Sequence, residues 1–356
     1  MKRIKIQEHL NRADAEAFLD TLAETHWEKL NINLANGKGL KQNSLIEKCK
    51  KYRKQTKLKS YLKKYANDDT VIGQRHKAFF DFLLAGKAEE LKRVVISRPS
   101  IFGAIKTDIF DILHQSDIFT GTPGNYSQTP FGLLLSDTIF NYSAFRGSDF
   151  CKELFTEIGF YTATCPYCND NKLNIVKLKS NSSPDTKLKA YLDLDHFYPK
   201  SLHPFFAVSF FNLIPTCHDC NSGDKGDKPF TIETHIHPYC EAFDDIYKFK
   251  ISLTVLLGDP LDSIDIQKLA TKPLDVTLDD LNLTARYANN FEMANKVVDL
   301  FWKNKKHIGT EFEEDFKELI LKDIPTVRNN ILKHQRSKMN RDILRQIDID
   351  NVLNIL

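Results

Sequence analysis

Two C-x-x-C pairs stand in the middle of this 356-residue chain, Cys165–Cys168 in CPYC and Cys217–Cys220 in CHDC, and between them lies an adjacent carboxylate and imidazole, Asp195 and His196. Each C-x-x-C turn can offer two thiolates, and two such turns make the tetrahedral four-sulfur set that zinc prefers. Residues 169–216 separate the halves, whereas an ordinary two-knuckle site leaves roughly 15–20 residues between them. A sizeable unit is therefore inserted into the site. One pair alone would read equally well as a redox motif, but two pairs in turn-like segments favour zinc. His218, inside the second pair, is a lesser candidate ligand. Cys49, Cys151 and Cys240 read as ordinary thiols, and seven cysteines, an odd number, argue against a disulfide framework.

Four further polar residues lie in the inserted unit or just after it. Asp195 and His196 end the alternating run Leu192-Asp-Leu-Asp-His, which reads as a short strand. Neighbouring strand residues point to opposite faces, so a solvated aspartate beside a half-buried histidine is the plain structural reading. Asn212 precedes an apolar Leu-Ile-Pro strand, and Asn221 follows Cys220 where a helix can begin. Singly, each asparagine passes for a turn or capping residue.

As a set, CPYC, DHFYPKS and FNLIPTCHDCNSGDKGDK, spanning about Thr164–Phe230, resemble the HNH endonuclease family in its His-Asn-Asn version with paired zinc cysteines. The resemblance implies a ββα-metal unit: a two-stranded hairpin and one helix gripping a single divalent metal, stapled by a structural Zn²⁺ on Cys165, Cys168, Cys217 and Cys220. It makes His196 the general base, Asp195 and Asn221 the ligands of a catalytic Mg²⁺ or Mn²⁺, and Asn212 the residue that fixes the loop and orients the histidine. The family's lysine falls three positions after the last asparagine. Here that position is Asp224 and Lys225 comes one later, so its phosphate-binding role is open, as is that of Lys200 and Ser201. The residue types suit phosphodiester hydrolysis. A neutral imidazole accepts a proton from water, and carboxylate and amide oxygens suit a hard cation that stabilises the pentavalent phosphate. With Asp195 on the metal and His196 on the phosphate, the strand should depart from regular geometry between them. More loosely, the motifs resemble HNH proteins of bacterial anti-phage systems such as Septu, in which the HNH protein partners an ATPase.

Elements on both sides must hold this unit in place. The fold expected is mainly α with a small α+β core, the HNH unit being flanked by N- and C-terminal helical regions. The divisions expected are 1–120 (helical, with a basic stretch), 121–160 (loop and helical lead-in), 161–232 (zinc-stapled core), 233–277 (strand-containing connector) and 278–356 (helical). Ala15–Leu30 and Phe79–Val95 have helical spacing of apolar residues. Thr120–Pro130 and Ser180–Asp185 read as loops, and Ile246–Leu257 reads as a strand. After Leu278 an apolar stripe through Leu281, Tyr287, Ala288, Phe291, Ala294, Val298, Phe301 and Trp302 reads as helix packing.

The stretch Lys48–Tyr65 has no acidic residue. Its Lys50, Lys51, Arg53, Lys54 and Lys57, with tyrosines between, suit a phosphate backbone, against the plain reading of a solvated helix face. A thinner basic region runs from Arg328 to Arg345. Net charge is only +3, with 42% apolar and 27% charged residues, ordinary for a globular protein. No apolar run is long enough to cross a bilayer, and the basic start Met1–Ile6 lacks a secretion signal's apolar core, so a cytoplasmic location without a membrane partner is expected. No G-x-x-x-x-G-K-[ST] loop is present, so ATP hydrolysis would fall to a partner. The expected function is an HNH endonuclease acting on nucleic acid, DNA foremost, in anti-phage defence. The alternatives are a zinc-stapled binding module without catalysis, or a subunit that serves an ATPase or other sensor.

Overall fold

In the computed structural model, which describes residues 6–122, 124–179, 186–269, 271–289 and 291–355, the chain is mainly helical with four small antiparallel sheets. The sequence expectation at Ser180–Asp185 lies outside the described residues. The N-terminal part is a stack of helices: α1 (Ala15–Leu30), α2 (Leu45–Gln55), α3 (Lys59–Tyr65), α4 (Thr70–Leu83), α5 (Ala85–Ile96, kinked at residues 86–88) and α6 (Phe102–Phe110). In α1 the buried positions Ala15, Leu19, Leu22, Ala23 and His26 repeat at helical spacing. The α4 helix starts where the Asp69 side chain accepts from Val71 N at 2.6 Å, the usual N-terminal cap.

The segment expected to be a loop at Thr120–Pro130 is instead a hairpin, β1 (Phe119–Thr122) and β2 (Asn125–Gln128). The glycines that read as loop residues make its tight pairing feasible. Gly121 has φ +105, and a Cβ there would meet the Asn125 carbonyl at 2.2 Å. Helix α7 (Asp149–Phe155) follows. Next comes a three-stranded sheet in the order β3 (Thr162–Thr164), β4 (Lys172–Lys179), β5 (Thr186–Tyr191). Strand β6 (Asp193–His196) then pairs with β7 (Leu213–Thr216), and a wide helical turn, Asp219–Lys225, follows β7.

The connector pairs β8 (Tyr247–Lys250) with β9 (Asp265–Lys268). The longer strand expected over Ile246–Leu257 stops at Lys250. Ser252 Oγ accepts from Thr254 N, a 3₁₀ turn covers Leu253–Leu257, and Gly258 ends it in the left-handed region. The C-terminal helices are α8 (Phe291–Asn304), α9 (Glu313–Ile320) and α10 (Ser337–Ile347). Buried apolar side chains form one cluster running from Ile6 to Leu283 and a second from Phe249 to Ile355. The first joins the N-terminal helices to the cysteine-bearing unit, so the hairpin β6–β7 is clamped by the helical stack. Among the described residues no helix is long and apolar enough to cross a membrane.

Candidate active site and metal centre

The four paired cysteines meet. Cys165 and Cys168 lie in the turn between β3 and β4, and Cys217 and Cys220 directly follow β7. All four are buried, and their sulfurs lie within 4.8 Å of one another, with Cys168 Sγ 3.9 Å from Cys217 Sγ. A tetrahedral zinc with Zn–S near 2.3 Å sets its sulfurs about 3.8 Å apart, so the cluster fits a structural zinc. The surroundings suit thiolates as well. Asp170 N donates to Cys168 Sγ at 3.4 Å, and Arg286 Nη1 sits 3.1 Å from Cys220 Sγ and 2.9 Å from Asp224 Oδ2. A four-thiolate zinc carries a net double negative charge, which this guanidinium offsets. His218 points elsewhere: its Nδ1 lies 3.1 Å from Asp193 Oδ2.

The C-terminal region holds the first knuckle from outside. Asn169, with φ +50, donates from Nδ2 to Thr164 Oγ1, Ile331 O and His334 O, and its own carbonyl accepts from Arg336 N at 2.6 Å. Arg336 pairs with Asp170 at 2.7 Å. Most of the Arg328–Arg345 basic region is spent this way. Arg328, Lys338 and Arg341 converge on buried Asp244, and despite burial, which raises it, those cations hold the Asp244 carboxyl down at about 2.

The hairpin carries the remaining candidates. Strand pairing is regular through Asp195↔Ile214 and His196↔Leu213, so the local departure from strand geometry expected between them is absent. The two side chains take opposite faces, as alternation requires. His196 is buried. Its Nε2 lies 2.9 Å from the Ala207 carbonyl and its ring is edge-on to Tyr142 at 4.4 Å. A carbonyl only accepts, so Nε2 carries the proton and Nδ1 is the basic nitrogen. Burial pushes His196 down to about 3, with a smaller contribution from Lys200 and Lys225, so the imidazole is neutral at neutral pH. Asn212, fully buried, locks the loop above it. Its Oδ1 accepts from Tyr198 N at 2.8 Å, and its Nδ2 donates to Tyr198 O and Phe206 O. Because Phe206 precedes Ala207, this clasp also fixes the carbonyl that orients His196.

Asp195 faces inward. Tyr167 donates its hydroxyl to Oδ2 at 2.7 Å, and Lys225 Nζ, 1% exposed, donates to Oδ1 and to the His196 carbonyl, both at 2.8 Å. Asn221 instead donates to Asp193 Oδ2 at 3.1 Å. Asp195 and Asn221 thus have separate partners. The donor set at this junction, two carboxylates on one strand face and a facing amide, has the oxygen chemistry that suits Mg²⁺ or Mn²⁺. Yet the ammonium of Lys225 is the cation that Asp195 holds. Lys225, one residue later than the spacing the resemblance implies, is carried inward by a wide turn: Gly226 N bonds Asn221 O, five residues back, at 2.8 Å. That brings Lys225 inside and leaves Asp224 outside, on Arg286 and Asn282.

Lys200 is half-buried, its Nζ 5.5 Å from the Tyr142 ring centroid, and Ser201 Oγ donates to Asp227 at 3.0 Å. The stretch Lys48–Tyr65 covers most of α2 and α3. Lys50, Lys51, Arg53, Lys54 and Lys57 are exposed, while Tyr61 is buried and Tyr52 and Tyr65 are half-buried. The tyrosines therefore serve the core more than a ligand. Lys50 pairs with Glu47 and Arg53 with Asp81. Sequence reasoning missed Tyr142, Arg286 and Asn169, since nothing local marks them. Tyr167, inside CPYC, was in plain view but unassigned.

Fold and site together define a mainly helical protein with a β-hairpin clamped to a cluster of four buried cysteines that could hold a zinc ion. No family model matches the chain, and no solved structure matches it. Two curated proteins are similar over part of it. Protein ea31 of Escherichia phage lambda is 37% identical over 79 residues, 22% of this chain and 21% of that protein. Septu protein PtuB of Bacillus thuringiensis is 26% identical over 122 residues, 30% of this chain and 47% of PtuB. The chain spans less than half the length of either relative.

Proposed function

We propose that this chain is an HNH-type endonuclease that hydrolyses phosphodiester bonds, with DNA as the substrate class, and that it serves an anti-phage system. The observation that carries the nuclease reading is His196. It is oriented through Nε2 by the Ala207 carbonyl that the Asn212 clasp positions, which leaves Nδ1 as the nitrogen to take a proton from water. Asp195 and Asn221 are the proposed oxygen ligands of a divalent ion. When bound, that ion would supply charge stabilisation at the phosphate and leaving oxygen. The zinc cluster and the helical stack keep the hairpin rigid. The defence role, with an ATPase or other sensor as partner, rests on the similarity to the Septu protein PtuB.

The ion pair between Lys225 and Asp195 favours a second reading, a nucleic-acid-binding module that does not cleave. Incubating the protein with plasmid, linear DNA and RNA in Mg²⁺ or Mn²⁺ separates the two. Under the nuclease reading the wild type cuts one of them, EDTA stops it, and His196→Ala loses roughly 10²–10⁴-fold in rate while keeping zinc and melting temperature. A folded His196→Ala protein cutting at the wild-type rate removes the mechanism. A wild type that binds but never cuts leaves the binding module.

A further inference from the structure

The hairpin β4–β5 has a charge pattern that neither the zinc cluster nor the hairpin chemistry uses. Its strands read KLNIVKLK and TKLKAY, with five lysines and no acidic residue. Lys172, Lys177, Lys179, Lys187 and Lys189 are all exposed, and none forms an ion pair among the described residues. This contrasts with α2, where Lys50 and Arg53 already have carboxylate partners. The acidic Asp149 on the neighbouring α7 pairs with Lys152 at 2.7 Å, and Lys187 of the ribbon is near enough to help lower its carboxyl without forming an ion pair.

Register sorts the lysines by face. Cross-strand partners share a face. Lys187 lies opposite Leu178, Lys189 opposite Val176 and Tyr191 opposite Asn174, so Lys172, Lys187, Lys189 and Tyr191 stand on one face. Lys177 and Lys179 stand on the other, beyond the point where Leu173 and Ile175 are buried against the core. On that face Leu188, opposite Lys177, and Ala190 still pack partly against the core, so the ribbon leaves the core only toward its far end, where exposed lysines stand on both faces. Tyr191 is 52% exposed, with Lys189 Nζ 4.7 Å from its ring centroid, and Leu178 is 41% exposed.

We infer that this ribbon is a DNA-binding arm that lies in a groove of the duplex, its lysines on the two bordering phosphate rows. A two-stranded ribbon fits the major groove, about 12 Å wide, and lysines on opposite faces meet phosphates on opposite walls. The arm also feeds the candidate catalytic strand directly, since only Leu192 separates β5 from β6. Six residues link Lys189 to His196, seven backbone steps that keep them within about 24 Å, roughly seven base-pair steps of duplex. The inference rests on the nuclease reading for its purpose but on charge and register for its content.

The test replaces Lys177, Lys179, Lys187 and Lys189 together by Gln in the full chain carrying His196→Ala, and measures binding of a labelled DNA duplex over a salt series. Binding at fixed salt should weaken about 10–100-fold, and the slope of log K against log salt should fall by about two to four, with zinc content and melting temperature unchanged. An unchanged affinity and slope overturn the arm and leave the nuclease reading standing. A parent protein that binds no duplex overturns the arm as well. Weakened binding in the Gln variant, alongside a wild type that cuts no nucleic acid, supports the arm and removes the nuclease reading.

Discussion

Tyr167, standing between the two cysteines of the first knuckle, donates its hydroxyl to Asp195 Oδ2 at 2.7 Å, with both side chains buried. The four-cysteine cluster and the candidate catalytic strand are thus joined by one side chain as well as by the backbone. Loss of metal from the cysteines would release the turn that aims Tyr167.

Tyr167→Phe removes only that hydroxyl. It leaves a buried carboxylate oxygen short of a donor, which costs about 1–3 kcal/mol. Zinc content should stay at wild type while the urea midpoint falls. A midpoint equal to wild type would show that the hydroxyl contributes nothing.

Lys225→Met keeps the aliphatic stem but deletes the ammonium that Asp195 and the His196 carbonyl share. Breaking one side of a buried ion pair typically costs about 3–5 kcal/mol, because the other charge is left uncompensated. The double variant Lys225→Met with Asp195→Leu should recover much of that loss. Equal destabilisation in single and double variants would contradict the pairing.

One zinc per chain is expected in metal analysis of protein purified without chelators. Cys217→Ser should lower zinc content and melting temperature together, since binding energy at such a site is folding energy. Protein that retains full stability after complete removal of metal would rule out a structural ion at the four cysteines.

Acid should destabilise the fold before carboxylates titrate. Burial pushes His26 and His76 down to about 4 and His203 down to about 3, against about 6.5 unfolded. The unfolded chain therefore binds more protons in this window. The stability these neutral rings contribute is complete above pH 6.5 and is lost as pH falls toward 4. His203→Phe, which keeps the aromatic packing with Phe110 and Phe206, should flatten the fall in melting temperature between pH 7 and 4.5. An identical profile would show that His203 titrates normally.

Read alone, the sequence gives up what is encoded locally. Apolar residues at helical spacing mark α1 and the C-terminal helices, because a helix must bury one stripe. Cys165, Cys168, Cys217 and Cys220 declare themselves because a C-x-x-C turn is short-range geometry, whatever lies between the pairs. The order His196, Asn212, Asn221 is likewise readable in one dimension. Tertiary structure decided everything that depends on who faces whom. Gly121 and Gly124 looked like loop residues, yet they shape the turn of a hairpin whose pairing local composition does not announce. The Arg328–Arg345 region read only as a second basic stretch, yet Arg341 is fully buried in an ion pair with Asp244, far away in the chain. Lys225 looked displaced by one position, and a five-residue hydrogen-bonded turn carries it onto Asp195. Each of these contacts joins residues whose separation in sequence says nothing of their distance in space. Burial makes them, since an ion or polar atom taken from water must find its partner inside the fold.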